Sequence, residues 1–225
     1  MILPLVKCKR GVGIQMTRRI LLASTNQGKL AELSELIGTD NEKLEWASLK
    51  AYPDVGEIAE DGDTFAENAR KKALGYAKAT GLWTIADDSG LVIDALDGQP
   101  GVYSARYATD ECGGNRKDID TANYKKVLAE LKGIADKKRT ARFICCLCLA
   151  SPEKVLLETE GAVEGIINHA PIGENGFGYD PIFYIPSLDK TAAQLDPQEK
   201  NRISHRGNAL RKLRPLLEDL LISSA

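Results

Sequence analysis

The stretch whose residue types most suggest chemistry is Ser24-Thr25-Asn26-Gln27-Gly28-Lys29. It follows a short apolar run, Arg19-Ile20-Leu21-Leu22-Ala23, and precedes Leu30, Leu33, Leu36 and Ile37 at helical spacing. The pattern reads as strand, loop, helix, and it puts the polar segment at a helix N-terminus, where free amides and the helix dipole favour an anion such as phosphate. It is not a P-loop, which needs glycine at position 23 and Ser or Thr after the lysine, because the chain has Ala23 and Leu30 there. An ordinary capped turn with a solvated lysine explains the same residues.

Acidic residues concentrate at Glu60-Asp61 and at Asp87-Asp88. Paired carboxylates at a strand end suit magnesium, which takes one or two carboxylates together with water and phosphate oxygens, or the activation of an attacking water. Asp87-Asp88-Ser89-Gly90 also reads as a simple turn leading into Leu91-Val92-Ile93. Asn68 and Lys72 stand one helical turn apart and share a face. That face would either present an amide and an ammonium to phosphates or be solvated.

Two later segments have the character of a base pocket. Gly176-Phe177-Gly178-Tyr179-Asp180-Pro181 joins two glycines to aromatic rings and a carboxylate, so it would bring backbone groups and a stacking surface to a base, or form a tight turn with Phe177 in the core. Ser204-His205-Arg206-Gly207, with Lys200 a turn earlier, supplies donors and no acceptor once His205 is protonated. Donors match a 6-oxo purine, whereas the 6-amino group of adenine would leave them unpaired at about 1–3 kcal/mol each. One such contact discriminates only about a hundredfold, so high selectivity needs several.

The surrounding elements must hold these segments together. Thr64-x-x-Glu67 is a capping box that opens a helix through Phe65, Ala69, Ala73 and Tyr76, ending near Gly81. Trp83-Thr84-Ile85-Ala86 is a buried strand, and Tyr124, Val127, Leu128 and Leu131 mark a further amphipathic helix. Residues 140 to 150 and 154 to 167 form a strand pair joined at Ser151-Pro152. Asp196-Pro197 starts a helical region whose leucines 210, 213, 217 and 220 make a stripe to the C-terminus. Helices interleave with strands that also pair directly, so the fold class is α/β with a mixed sheet, not a purely doubly wound one.

With 225 residues, 43% of them hydrophobic, the chain has material for one sizeable core. A single bilobed domain over residues 16 to 225 is expected, with 1 to 15 an extension dispensable for folding because Met16 directly precedes the first strand. The formal charge of -2 and a pI near 5.8 give no bulk attraction for a nucleic-acid backbone, so small phosphates held by local cations are the expected partners. No run reaches the roughly 18 apolar residues of a membrane span. Cys145, Cys146 and Cys148 lie in an apolar run and read as buried thiols of a reducing compartment. The first residues lack a signal-peptide cleavage region, and a cytoplasmic location is expected.

Taken in order, LLASTNQGK (21 to 29), FAENA (65 to 69), ADDSGL (86 to 91), PGVYSARY (100 to 107), GFGYDPIF (176 to 183), KTAA (190 to 193), Glu199-Lys200 and SHRGNAL (204 to 210) resemble the inosine triphosphate pyrophosphatase, or Ham1-like, family over nearly the whole chain. That resemblance implies an elongated mixed α/β fold of two lobes around a cleft, a homodimer, and hydrolysis of non-canonical purine triphosphates (inosine, deoxyinosine and xanthosine) to monophosphate and pyrophosphate. It implies that Ser24 to Lys29 contact the triphosphate with Lys72 and Asn68, and that Ser89 touches the substrate. Asp88 matches the general base and, with Glu60, the Mg2+ ligands. Phe177, Gly178, Tyr179 and Asp180 match the base pocket, with Phe177 as the stacking ring, and Lys200, His205 and Arg206 complete recognition. Three features depart from the pattern: the N-terminal extension, a Cys112 to Asn115 loop, and Pro215, which should kink or restart the last helix. A pyrophosphatase for another modified base is disfavoured by Ser204-His205-Arg206, and a catalytically silent nucleotide-binding protein by the intact Glu60, Lys72, Asp87 and Asp88.

Overall fold

The computed structural model describes residues 17–24, 44–108 and 115–223. The expected helix carrying Leu30 to Ile37, residues 1 to 15, and the segment Thr25 to Lys29 lie outside the described residues. Among the described residues seven strands form one sheet: β1 (Arg18–Leu22), β2 (Leu44–Ser48), β3 (Trp83–Ile93), β4 (Thr140–Ala150), β5 (Val155–Ile167), β6 (Phe183–Ile185) and β7 (Lys190–Thr191). Their order is β2-β1-β3-β4-β5-β6-β7. β1 pairs in parallel with β2 and β3, and every pairing from β3 onward is antiparallel. The sheet is therefore mixed, as the pattern of directly paired strands required.

Helix α1 (Phe65–Thr80) forms where the capping box placed it. The Thr64 hydroxyl accepts from the Glu67 amide at 3.2 Å, and Gly81 closes the helix with φ of 72°. A Ser/Thr cap of this kind is worth about 1 kcal/mol. Its buried stripe runs Phe65, Asn68, Ala69, Lys72, Ala73, Tyr76 and Ala77. Small alanines let the helix lie close to the sheet, and the two polar members of the stripe are thereby carried inward. Among the described residues the other α-helices are α2 (Arg116–Glu130), α3 (Pro197–Ile203) and α4 (His205–Ser223).

Alternation along β1 and β4 sorts the core into two layers. Ile20, Leu22, Cys145, Leu147 and Leu149 pack with Ala209, Leu210, Leu213 and Leu217 of α4. Leu21, Ala23, Cys146, Cys148 and Ala150 pack with the apolar residues of α1. A third cluster joins Leu91 and Ile93 of β3 to Val127 of α2 and to Phe183 and Ile185 of β6. The three strand cysteines are buried free thiols as expected, and burial pushes Cys146 and Cys148 up to about 12.

One local expectation changes, and two are made more specific. Asp87-Asp88-Ser89-Gly90 is not a turn: β3 is continuous through it, because β4 pairs with residues 84 to 93 in unbroken antiparallel register. Inter-strand pairing overrides the turn preference of those residues. Gly90 serves closeness there, since a Cβ would lie 2.6 Å from the Gly101 carbonyl oxygen and 2.4 Å from the Ser104 hydroxyl. The C-terminal helical region is two helices, broken at Ser204, whose extended backbone caps α3. α4 then continues through Pro215 without restarting.

Gly161 on β5 is the seat of α4. A Cβ there would stand 2.2 Å from the His205 carbonyl and 2.3 Å from the Ala209 amide. Helix α4 rests directly on the β5 backbone, and this fixes the height of its first turn.

Candidate functional site

A cleft of about 300 Å³ opens beside the middle of β3, lined at one end by Ser24, Glu60, Lys72 and Asp88 and at the other by Phe177, Lys200 and His205. Because successive side chains of a strand point to opposite faces, the adjacent carboxylates Asp87 and Asp88 part company. Asp88 turns to α1, where Asn68 Nδ2 donates to its Oδ2 at 3.2 Å and Lys72 Nζ stands 3.6 Å from its Oδ1. Asp87 turns to α4, with Arg206 Nε 3.6 Å from Oδ2. On that same side Ser89 Oγ donates to Asp87 and Arg206 Nη2 donates to Ser89 Oγ.

Lys72 is 8% exposed, so the solvated-face reading is set aside. Its Nζ also approaches Glu60 Oε1 at 3.1 Å. Burial opposes its charge, but Asp87, Asp88 and Glu60 together outweigh that and raise it above the ordinary lysine value. Asn68 is fully buried and works from behind Asp88; its Oδ1 is fixed by the Gly62 amide at 2.8 Å.

At the other end, the Asp180 carboxylate accepts from the Phe177 amide at 2.9 Å and pairs with Lys200 Nζ at 2.6 Å. Lys200 Nζ lies 4.8 Å and Arg206 Cζ 5.4 Å from the centre of the Phe177 ring. Such contacts hold an aromatic surface in a fixed, electropositive frame. His205 stacks on Phe143 with ring centres 5.0 Å apart and planes within 15°. Tyr179 is buried and its hydroxyl donates to the Ser104 carbonyl at 2.8 Å, so it braces the wall. Gly178 also lines the cleft.

Of the residues that the sequence singled out, Ser24, Glu60, Lys72, Asp88, Ser89, Phe177 to Asp180, Lys200, His205 and Arg206 all reach this one cleft. Asn68 joins it through Asp88. Thr25, Asn26, Gln27, Gly28 and Lys29 lie outside the described residues. Arg106, Arg116, Asp120 and Phe143 also line the cleft and were not foreseen. Arg116 and Asp120 left a signal in their (i, i+4) spacing, whereas Phe143 was one apolar residue in an apolar strand.

Glu60 and Asp88 offer hard oxygen ligands at the end of the cleft that holds Lys72. Among the described residues no group of three or more His, Cys, Asp or Glu side chains gathers as a metal cage. Two carboxylates fit a magnesium ion that takes its remaining oxygens from phosphate and water. A carboxylate end with the chemistry to hold a metal, a buried ammonium and an aromatic, cation-framed end are together suited to a polyphosphate bearing a flat base.

Comparison with known proteins agrees with this geometry. The model of the Ham1 family matches residues 20–216. The dITP/XTP pyrophosphatase of Gloeobacter violaceus is 52% identical over 198 residues, covering 88% of this chain and 93% of that protein. The enzyme of the same description from Bacillus subtilis is 49% identical, covering 89% and 98%. Among solved structures, a HAM1 protein from Coxiella burnetii superposes with a TM-score of 0.80 at 45% identity, covering 90% of this chain and all of that one (100%). The Ham1 protein of Staphylococcus aureus gives 0.78 at 41% identity, covering 90% and 99%.

Proposed function

The chain belongs to the Ham1 family, and from that premise we propose that its cleft carries out the hydrolysis with Asp88 as general base and Lys72 as the cation beside it. It is a nucleoside triphosphate pyrophosphatase, and its substrates are non-canonical purine triphosphates such as those of inosine, deoxyinosine and xanthosine. The observation that carries the assignment of roles is the setting of Asp88: buried at the cleft floor, one oxygen held by Asn68 and the other facing Lys72. Both neighbours favour the ionised carboxylate that a base must be before it acts.

In this reading Asp88 takes a proton from water as the water oxygen bonds to the α-phosphorus. The bond from that phosphorus to the α,β-bridging oxygen breaks, and its electrons leave with pyrophosphate. Lys72 offsets charge that builds on the phosphates, and Ser24 with the following segment to Lys29 grips them. Glu60 and Asp88 would hold Mg2+, which when bound supplies further charge neutralisation. Phe177 stacks on the base while Lys200, His205 and Arg206 complete its recognition, the last anchored by Asp87 and Ser89. The proposal includes a homodimer located in the cytoplasm, each protomer a single bilobed domain spanning residues 16 to 225; sedimentation of the purified chain tests the assembly.

The deciding experiment measures pyrophosphate release from inosine, adenosine and guanosine triphosphates at equal concentration, with magnesium and with a chelator. Fast magnesium-dependent release from inosine triphosphate alone is expected. Equal rates on all three would discard the recognition roles of His205 and Arg206, and release unaffected by the chelator would discard the metal.

A further inference from the structure

The loop that bears Phe177 is tied down by two carboxylates. Asp180, within the loop, holds the Phe177 amide. The next amide, that of Gly178, donates at 3.0 Å to Oδ2 of Asp120, which comes from α2, 58 positions earlier in the chain. Asp120 is 8% exposed, lines the cleft, and has Arg116 Nε 3.0 Å from its other oxygen. It lies outside every motif that drew attention in the sequence.

We propose that Asp120 is a positioning residue for base recognition, clamping the Gly178 amide so that Phe177 is set at the height a purine ring requires. The inference deepens the reading of the cleft given above and rests on it. Three observations support it. The bond joins two elements that are otherwise separate in the chain, so nothing local would restore it. It acts on the amide immediately after the ring-bearing residue, so a shift of the Gly178 backbone moves Phe177 directly. Asp120 bonds to Gly178 and Arg116, whereas Asp88 faces Asn68 and Lys72 and Glu60 faces Lys72, so the clamp acts at the ring-bearing end of the cleft.

A hydrogen bond to an ionised group contributes enough for its loss to weaken binding roughly tenfold or more. In Asp120→Ala, KM for inosine triphosphate should rise about tenfold with kcat within about threefold of the wild type. Inhibition by inorganic tripolyphosphate, which has no base, should be unchanged. Asp120→Asn keeps an acceptor for Gly178 and should restore most of the affinity. Should the alanine variant not fold, Asp120→Glu, which displaces the carboxylate by one methylene, should show the same split in smaller measure.

An unchanged KM in these variants, or tripolyphosphate inhibition weakening in parallel with KM, would overturn the proposal. The wild-type control separates the two layers of inference. Absence of pyrophosphate release from inosine triphosphate by the wild type removes the reading on which the proposal rests. Turnover by the wild type with unaltered KM in the variants removes only the role of Asp120.

Discussion

Asn68 and Asp88 are 20 positions apart in the chain, yet the Asn68 amide donates to the Asp88 carboxylate at 3.2 Å in the buried floor of the cleft. The bond joins the first turn of α1 to the centre of β3, so the capping box that starts the helix also determines where the donor stands. Asn68 is itself held by the Gly62 amide and has little freedom to turn away.

Asp88→Asn should lower pyrophosphate release from inosine triphosphate by roughly 10²–10⁴-fold, the range for loss of a general base, while the triphosphate still binds. Steady-state turnover beside equilibrium binding in the same buffer checks this. Full activity in the variant would remove Asp88 as the base.

Asn68→Ala takes away a donor that favours ionised Asp88. A bond of this kind is worth about 1.5–3 kcal/mol, so kcat should fall roughly tenfold to a hundredfold. Triphosphate binding should be retained, because Asn68 stands behind Asp88. Turnover and equilibrium binding measured together check this, and an unchanged kcat would remove Asn68 as a support of the base.

Gly161→Ala should destabilise the protein by about 1–3 kcal/mol or more, because its Cβ would stand 2.2 Å from the His205 carbonyl. Since α4 begins at His205, the same change should weaken binding of the base more than that of tripolyphosphate. Thermal unfolding and the two inhibition constants, measured together, read both effects.

Burial raises the Asp120 carboxyl above its ordinary value of 3.8, against the opposing pull of Arg116 and the Gly178 amide. For an acid shifted upward, the fold disfavours the charged form. The penalty is absent below the ordinary value and develops as pH rises through the raised one. Asp120→Asn resembles the protonated acid, so it should unfold at a higher temperature than the wild type at pH 7, with the gap closing as pH falls toward 3.8. A gap that widens toward acid pH would contradict the sign of the shift.

Much of the fold was legible because it rests on short-range rules. The Thr64 to Glu67 box, the apolar spacing after it and the Asp196-Pro197 start are local signals, and each element formed where they lay. The Asp-Asp-Ser-Gly turn failed for the opposite reason: whether those residues bend or extend depends on β4, more than 50 positions away, which satisfies their backbone groups. Ser204 and Pro215 show a similar limit. The break came at the extended Ser204, while α4 accommodates Pro215.

The sequence alone determined the chemical inventory and its order along the chain: carboxylates, lysines, a ring-bearing glycine loop and a histidine-arginine pair, together with the strands and helices that carry them. The tertiary structure decided which of these meet. Asp87 and Asp88 are neighbours in sequence and equivalent in type, but the pleat of β3 sends one to Arg206 of α4 and the other to Asn68 and Lys72 of α1. The spacing of Asp120 from Arg116 was visible in the sequence, but its bond to the Gly178 amide exists only because α2 docks beside the Phe177 loop. Residue type fixes what a group can do, whereas packing across distant segments fixes its partner, its desolvation and hence its charge.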